Sequence, residues 1–202
     1  MNLSEKILKR MRRKRGNAVF TRADFLDLGS TDAVGMGLMR LARSGKIRRL
    51  GRGLYDVPRT HPDLGALSPT AEAIAQAVAR RQGLRLQPSE AEAANRLHLS
   101  DQVPARAIYE TDGASKIIKV GRRTIEFQRR LPRKMAAAGR MSGLVFGALH
   151  AIGKENVTTE RIVHLRELLK TSDKRRLMKD LPLAPAWMHP HLRFIADRKA
   201  GE

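Results

Sequence analysis

The segment Lys46-Ile47-Arg48-Arg49-Leu50-Gly51-Arg52-Gly53-Leu54-Tyr55-Asp56-Val57 constrains this chain more than any other. Ile47, Leu50, Leu54 and Val57 supply apolar contacts for a half-buried pair of strands, and Gly51 and Gly53 flank Arg52 where the backbone must reverse. Glycine tolerates positive φ, so Gly-Arg-Gly is a tight turn that pushes one long cation into water. A hairpin that carries Arg48, Arg49 and Arg52 is poorly suited to a core and well suited to an exposed position facing an anion. It follows directly on a helical segment that ends at Ser44-Gly45, so its partner is that helix.

Three helical segments precede it. Ser4 is placed to cap a helix running to about Arg15, with Ile7, Leu8 and Met11 on one face and Lys6, Lys9, Arg10 and Arg12 to Arg15 around the other. Gly16-Asn17 ends it, and Val19-Phe20 reads as a short extended piece. Thr21 then caps a second helix, Arg22 to about Leu28, which buries Phe25 with Leu26 or Leu28, and Gly29 supplies the turn. Ser30 or Thr31 opens a third, with Asp32 favourable in its first turn. At about 100 degrees per residue, Val34, Leu38 and Leu41 share one face, and Asp32, Met36, Arg40 and Arg43 lie opposite. Gly35 and Gly37 cost about 1 kcal/mol each relative to alanine, which leaves two readings open: a small surface for close approach to a groove, or helix-to-helix contact.

Helix, helix, helix, hairpin is the order of a winged helix-turn-helix. In that geometry Ser30, Thr31, Met36, Arg40 and Arg43 on the third helix face base edges, and Lys46, Arg48, Arg49 and Arg52 of the wing hold phosphates or probe the minor groove. Arg22, at a helix N-terminus, lies beside the DNA backbone.

Charge supports that expectation. The chain has 40 Lys and Arg against 20 Asp and Glu, a net +20 over 202 residues, which favours a polyanionic partner because each neutralised phosphate releases condensed counterions. An anionic membrane surface is a weaker candidate, and solubility alone is the plain alternative. Residues 1–60 hold 15 cationic and 5 anionic side chains, half of the excess in under a third of the length. The contact is therefore expected there. No apolar run approaches the roughly 20 residues that span a bilayer, and Met1 to Lys6 lacks a signal-peptide core, so no membrane and a cytoplasmic location are expected.

Pro58-Arg59-Thr60-His61-Pro62 breaks regular structure and marks a boundary. Beyond it, Ser68-Pro69 opens an Ala-rich helix over Thr70 to Arg81, Leu84 to Gln87 is a short strand, and Glu90 to about Leu97 is helical. Periodicity then changes to two: residues 105–111, 116–120 and 124–129 read as strands of a small antiparallel meander. Past Pro132 the chain is helical over 139–152, 158–169, 172–181 and roughly 185–198, with Trp187 and Phe194 expected in the core. The expected fold class is α+β: an N-terminal winged helix-turn-helix domain, 1–60, followed by a mixed α/β domain, 61–202, with a small antiparallel sheet and a helical C-terminal end.

Catalytic motifs are absent from the sequence. Cysteine is missing, and His61, His98, His150, His164, His189 and His191 include no pair at metal-binding helical spacing beside an acid. No phosphate loop or dinucleotide fingerprint exists, and no Asp-x-Asp pair follows Gly29-Ser30 to hold magnesium. Glu90, Glu92 and Glu110 are read as salt-bridge partners of Arg96, Arg106 and Lys119. No enzyme, cofactor or metal is expected.

Ser4 through Val57, and above all Leu38 to Pro58 across the helix and hairpin, resembles the winged N-terminal domain of the AbiEi antitoxin family. The likeness continues through Ser68-Pro69-Thr70-Ala71 and the strands near 105–128 into its DUF6088-like group. The resemblance implies a transcriptional autorepressor that binds inverted repeats of double-stranded DNA in its own promoter. It implies also a larger second domain that counteracts a nucleotidyltransferase-like toxin in a type IV toxin-antitoxin, or abortive infection, system. Such a protein is expected to be a monomer or weak dimer that pairs on DNA. Two other readings stand beside it: a lone winged-helix transcription factor whose second domain dimerises or senses a ligand, and a general nucleic-acid binder.

Overall fold

Asn2 begins the first helix by closing a capping box, in which its side chain accepts from the Glu5 amide and the Glu5 carboxylate accepts from the Asn2 amide, both at 2.9 Å. Helix α1 therefore spans Leu3–Arg13 and is capped earlier than Ser4, because only Asn2 has a glutamate three positions on. This computed structural model describes residues 1–14, 18–63 and 65–197, so the expected helix end at Arg15 to Asn17 lies outside the described residues. The mixed α+β chain divides by internal packing into two units, Met1–Leu84 with Ile117–Ile125, and Arg85–Lys116 with Glu126–Glu202.

In the first unit the expected second helix is a short 3₁₀ turn, Arg22–Phe25. Asp24 folds back onto Thr21, accepting from its amide at 2.7 Å and its hydroxyl at 3.1 Å, and the Leu28 amide donates to the Phe25 carbonyl. That i to i−3 spacing leaves too few residues before Gly29 for an α-helix. Helix α2 spans Thr31–Arg43, with Ser30 as N-cap. Strands β1, Arg48–Gly51, and β2, Leu54–Asp56, pair antiparallel with Arg48 opposite Asp56 and Arg49 opposite Tyr55, and the register shifts between Arg49 and Gly51. Phe20 joins as a bridge, exchanging two backbone hydrogen bonds with Tyr55 at 2.7 and 2.9 Å. Ile7, Met11, Phe20, Phe25, Val34, Leu38, Leu41 and Ile47 form the core beneath.

A second small hairpin, β3 at Arg59–His61 and β4 at Gly65–Leu67, occupies the stretch that the sequence marks as a break. Pro58 precedes its first strand and Pro62 lies in its turn, so neither proline removes a needed backbone donor. Helix α3, Ala71–Gln82, capped by Thr70 and by left-handed Gly83, packs on β2 and the 3₁₀ turn. The chain through Leu84 packs with the first unit.

The second unit begins with β5, Leu86–Pro88, and α4, Glu90–Arg96. Strands β6, Ala107–Thr111, β7, Lys116–Val120, and β8, Arg123–Arg129, complete a sheet of order β5-β6-β8-β7, not a meander, although Ile117–Ile125, most of β7 and the start of β8, group with the first unit. Strand β8 is the longest and buries Ile125 and Phe127, which suits a central place. Strand β7 carries two lysines and an Ile117 that is 63% exposed, which suits an edge. Helices α5, Met141–Ile152, α6, Thr159–Leu168, α7, Thr171–Asp180, and α8, His189–Ala196, gather with α4 around Val145, Leu149, Leu165, Leu177, Leu192 and Ile195. Trp187 packs against that core, but Phe194 is 41% exposed and lies under the Arg166 guanidinium at 5.4 Å instead.

Candidate nucleic-acid interface

Helix α2 is built to show one face. Val34, Gly37, Leu38 and Leu41 are buried, whereas Thr31, Asp32, Met36, Met39, Arg40 and Arg43 are exposed. Its two glycines have different uses. A Cβ at Gly37 would stand 3.1 Å from the Ile7 Cδ1 of α1, so this glycine serves helix-to-helix contact. A Cβ at Gly35 would stand 3.2–3.3 Å from the Arg22 guanidinium, so this one gives the arginine a bed on the helix surface.

Between α2, the 3₁₀ turn and the β1–β2 hairpin lies an open groove of about 750 Å³, lined by Arg22, Asp32, Gly35, Met36, Met39, Ala42, Arg43, Arg49 and Tyr55. Four residues expected at the interface, Arg22, Met36, Arg43 and Arg49, converge here. Ser30 is occupied as the N-cap, its Oγ accepting from the Ala33 amide at 3.3 Å, and Thr31 follows it on the surface. Arg40, Lys46 and Arg52 are exposed on the same unit without lining the groove. Met39 and Tyr55 are additions. Met39 was legible, since it follows Met36 by three positions on the helix, whereas Tyr55 needs the hairpin register, which puts it opposite Arg49.

Arg48 departs from the expected role. Its Nε and Nη2 donate to the two Asp56 oxygens at 3.0 and 2.5 Å, and Nη2 donates also to the Leu67 carbonyl at 2.7 Å. Asp56 is buried, and its hydrogen bond with Arg48 raises the guanidinium pKa, against a smaller opposing effect of burial. Alternation along β1 sends Arg48 to one face and Arg49 to the other, so Arg48 braces the hairpin. Among the described residues, Arg49 makes a long contact from Nε to the Gly51 carbonyl at 3.4 Å. The Arg52 side chain projects from the tip, where its carbonyl accepts from Arg81 Nη1 at 2.9 Å.

Helix α1 adds a second basic surface, a shallow concavity of about 580 Å³ with Lys9, Arg12 and Arg13 beside Glu5 and Leu8. Its Arg10 is spent on Asp27 in two 2.6 Å bonds and lies 6.0 Å from the Phe25 ring. That bond holds the Asp27 carboxyl below the usual aspartate range. Arg80 of α3 fixes the turn, donating to the Val19 carbonyl at 2.8 Å and reaching Asp24 at 3.4 Å.

The second unit has a cavity of about 410 Å³, walled by Leu131, Phe146, Leu183, Pro185 and Met188 with Gln87, Glu90, Glu110, Lys134 and His150 at its polar side. Its carboxylates are held. Glu110 accepts from Arg130 at 2.6 Å and Gln87 at 2.8 Å, and Glu90 meets His150 at 2.8 Å and Lys134 at 3.2 Å. Glu92 pairs with Arg96 at 2.7 Å as expected, while Arg106 and Lys119 are not the partners of the other two. Among the described residues, no three metal-ligating side chains gather, and no helix is long and apolar enough to cross a membrane.

Comparison with known proteins adds little beyond these observations. A family model described as "Family of unknown function (DUF6088)" matches residues 5–177. Among solved structures, the chain is similar to the RV2827C protein from Mycobacterium tuberculosis at 17% identity, covering 96% of this chain and 76% of that one, with a TM-score of 0.43. That likeness is too distant to carry an argument. No curated protein matches.

Proposed function

The chain belongs to the DUF6088 family, and we propose that this member is a sequence-specific DNA-binding autorepressor whose first unit is a winged helix-turn-helix. The groove between α2 and the hairpin carries the reading: three arginines and two exposed methionines stand around an exposed helix face, and none of the three has an ion-pair partner among the described residues. The element order, helix, strand bridge, turn, helix, hairpin, supports it, because such an arrangement lays one helix in a major groove with a hairpin against the flanking backbone. Arg22, Arg43 and Arg49 would then hold phosphates on either side of α2, with Arg52 at the wing tip. Net charge alone would fit any polyanion. A helix face that shares its groove with three cations and one acid, Asp32, fits a duplex.

The wider proposal is an AbiEi-like antitoxin of the cytoplasm, whose second unit counteracts a nucleotidyltransferase-like toxin and which pairs on inverted repeats. It rests on the sequence resemblance. One observation favours the other reading, a regulator that senses a ligand: the cavity of the second unit combines apolar walls with a few convergent polar groups, as small-molecule sites do.

Fluorescence anisotropy with a duplex from the protein's own upstream region and a shuffled duplex, over several salt concentrations, tests the DNA reading. Preference for the upstream duplex, with a salt slope that falls by about one for each of Arg43, Arg49 and Arg52 changed to alanine, is expected. Equal binding to both duplexes would reduce the first unit to an electrostatic patch. Co-purification of the product of the neighbouring reading frame, or its absence, separates antitoxin from ligand-sensing regulator.

A further inference from the structure

We infer that Met36 and Met39 read thymine C5-methyl groups, so that the central base contacts of this protein are apolar and its operator half-sites place thymines under α2. The inference rests on the DNA-binding reading above and names its specificity.

Met36 is 51% exposed and Met39 38%, on a helix whose buried stripe is already filled by Val34, Leu38 and Leu41. Neither methionine is needed to close the core of the first unit. Along α2 they fall between Gly35, against which the Arg22 guanidinium lies, and Arg43, and they line the groove together with these arginines and Arg49. In a bound duplex those guanidinium groups would hold backbone oxygens, and what stands between them would meet base edges. Major-groove edges offer hydrogen-bond donors and acceptors and a single apolar group, the thymine methyl. A thioether has no donor and only a weak acceptor, so cytosine N4, adenine N6 and guanine O6 would lose water against it without a replacement partner. The thymine methyl alone gains. Methionine is also unbranched and flexible, which lets two of them settle around methyl groups on successive base pairs. Gly35 leaves the adjoining helix surface low enough for Arg22 to lie beside them.

The test uses the full-length protein and the upstream duplex amplified either with thymidine or with deoxyuridine triphosphate, which deletes every C5-methyl and keeps every Watson-Crick partner. Wild type and Met36→Gln/Met39→Gln are titrated against both, with circular dichroism to confirm the variant's helix content. Wild type is expected to bind the uracil duplex more weakly by about fourfold per contacted methyl, the ratio that burial of one methyl gives, and the variant is expected to show little difference between duplexes. Wild type that prefers upstream over shuffled DNA yet binds thymine and uracil forms equally would overturn the inference and leave the DNA reading standing. An equal loss in wild type and variant would assign the methyl effect to groove shape and overturn it too. Absence of any preference for the upstream duplex would overturn both.

Discussion

Arginine is used in two opposite ways, and the most buried pairs and the barest groups fall in different units. In the second, Arg130 binds Glu110, which is 1% exposed, and Arg140 and Arg176 both bind Asp180, whose side chain is 6% exposed. Their charge is answered within the unit. In the first, Arg22, Arg43 and Arg49 stand around a groove, and Arg52 at a turn, with no ion pair to any described residue. Residues 131–202 hold 14 cationic against 7 anionic side chains and residues 1–60 hold 15 against 5, so the counts alone barely separate the regions. Buried carboxylates separate them, because a cation with a desolvated partner stabilises the fold and a bare one is left for something else. Arg48 shows that the rule follows local geometry rather than the unit, since it behaves like an arginine of the second unit while adjoining Arg49.

The contrast breaks most visibly at Arg130. Arg130→Ala leaves Glu110 with the Gln87 amide alone and is expected to cost about 3 kcal/mol, read as a lower urea midpoint. Arg48→Ala should come next, at about 1–3 kcal/mol, because the Asp56 side chain it leaves is 8% exposed, less completely buried than Glu110 at 1%. Arg43→Ala, Arg49→Ala and Arg52→Ala should change stability by less than about 0.5 kcal/mol each while removing salt-dependent DNA affinity, a separation that neither earlier variant shows. Gly35→Ala sharpens the point. It should raise thermal stability by up to about 1 kcal/mol through helix propensity, and it should weaken DNA binding by displacing the Arg22 guanidinium a few tenths of an ångström. The smallest effect belongs to Asp27. Its carboxyl is held low by the Arg10 hydrogen bond, so its contribution is complete above the ordinary aspartate pKa and disappears as pH falls through the lowered one. Melting temperature followed against pH for wild type and Asp27→Asn should converge at the acid end.

Much of this was legible in the sequence. A cap for α2 at Ser30 or Thr31, which the structure resolves to Ser30, its buried Val34, Leu38 and Leu41, and the Gly51-Arg52-Gly53 reversal all follow from short-range chemistry. The sheet strands and the C-terminal helices lie close to their expected limits for the same reason. What was not legible depends on which of several available partners a group takes. Asp24 turning back on Thr21 makes a 3₁₀ turn where periodicity reads a helix, and strand order places β8 inside β7 although β7 comes first. Arg48 could not be told from Arg49 by type. Only strand alternation with Asp56 opposite separates them, and that requires the register.

Arg81 gives the hairpin tip a support from outside the hairpin. Its guanidinium grips the Arg52 carbonyl at 2.9 Å, and Gly53, with φ +72°, leaves room for it at 3.1 Å from where a Cβ would stand. The tip is therefore aimed by α3, which lies beyond the second small hairpin in the chain. Recombination that exchanged only residues 1–60 between relatives would transplant the loop without the hand that steadies it. The packed unit reaches Leu84, and a chimaera joined before Ala71 should keep its helix face and lose the aim of its hairpin tip.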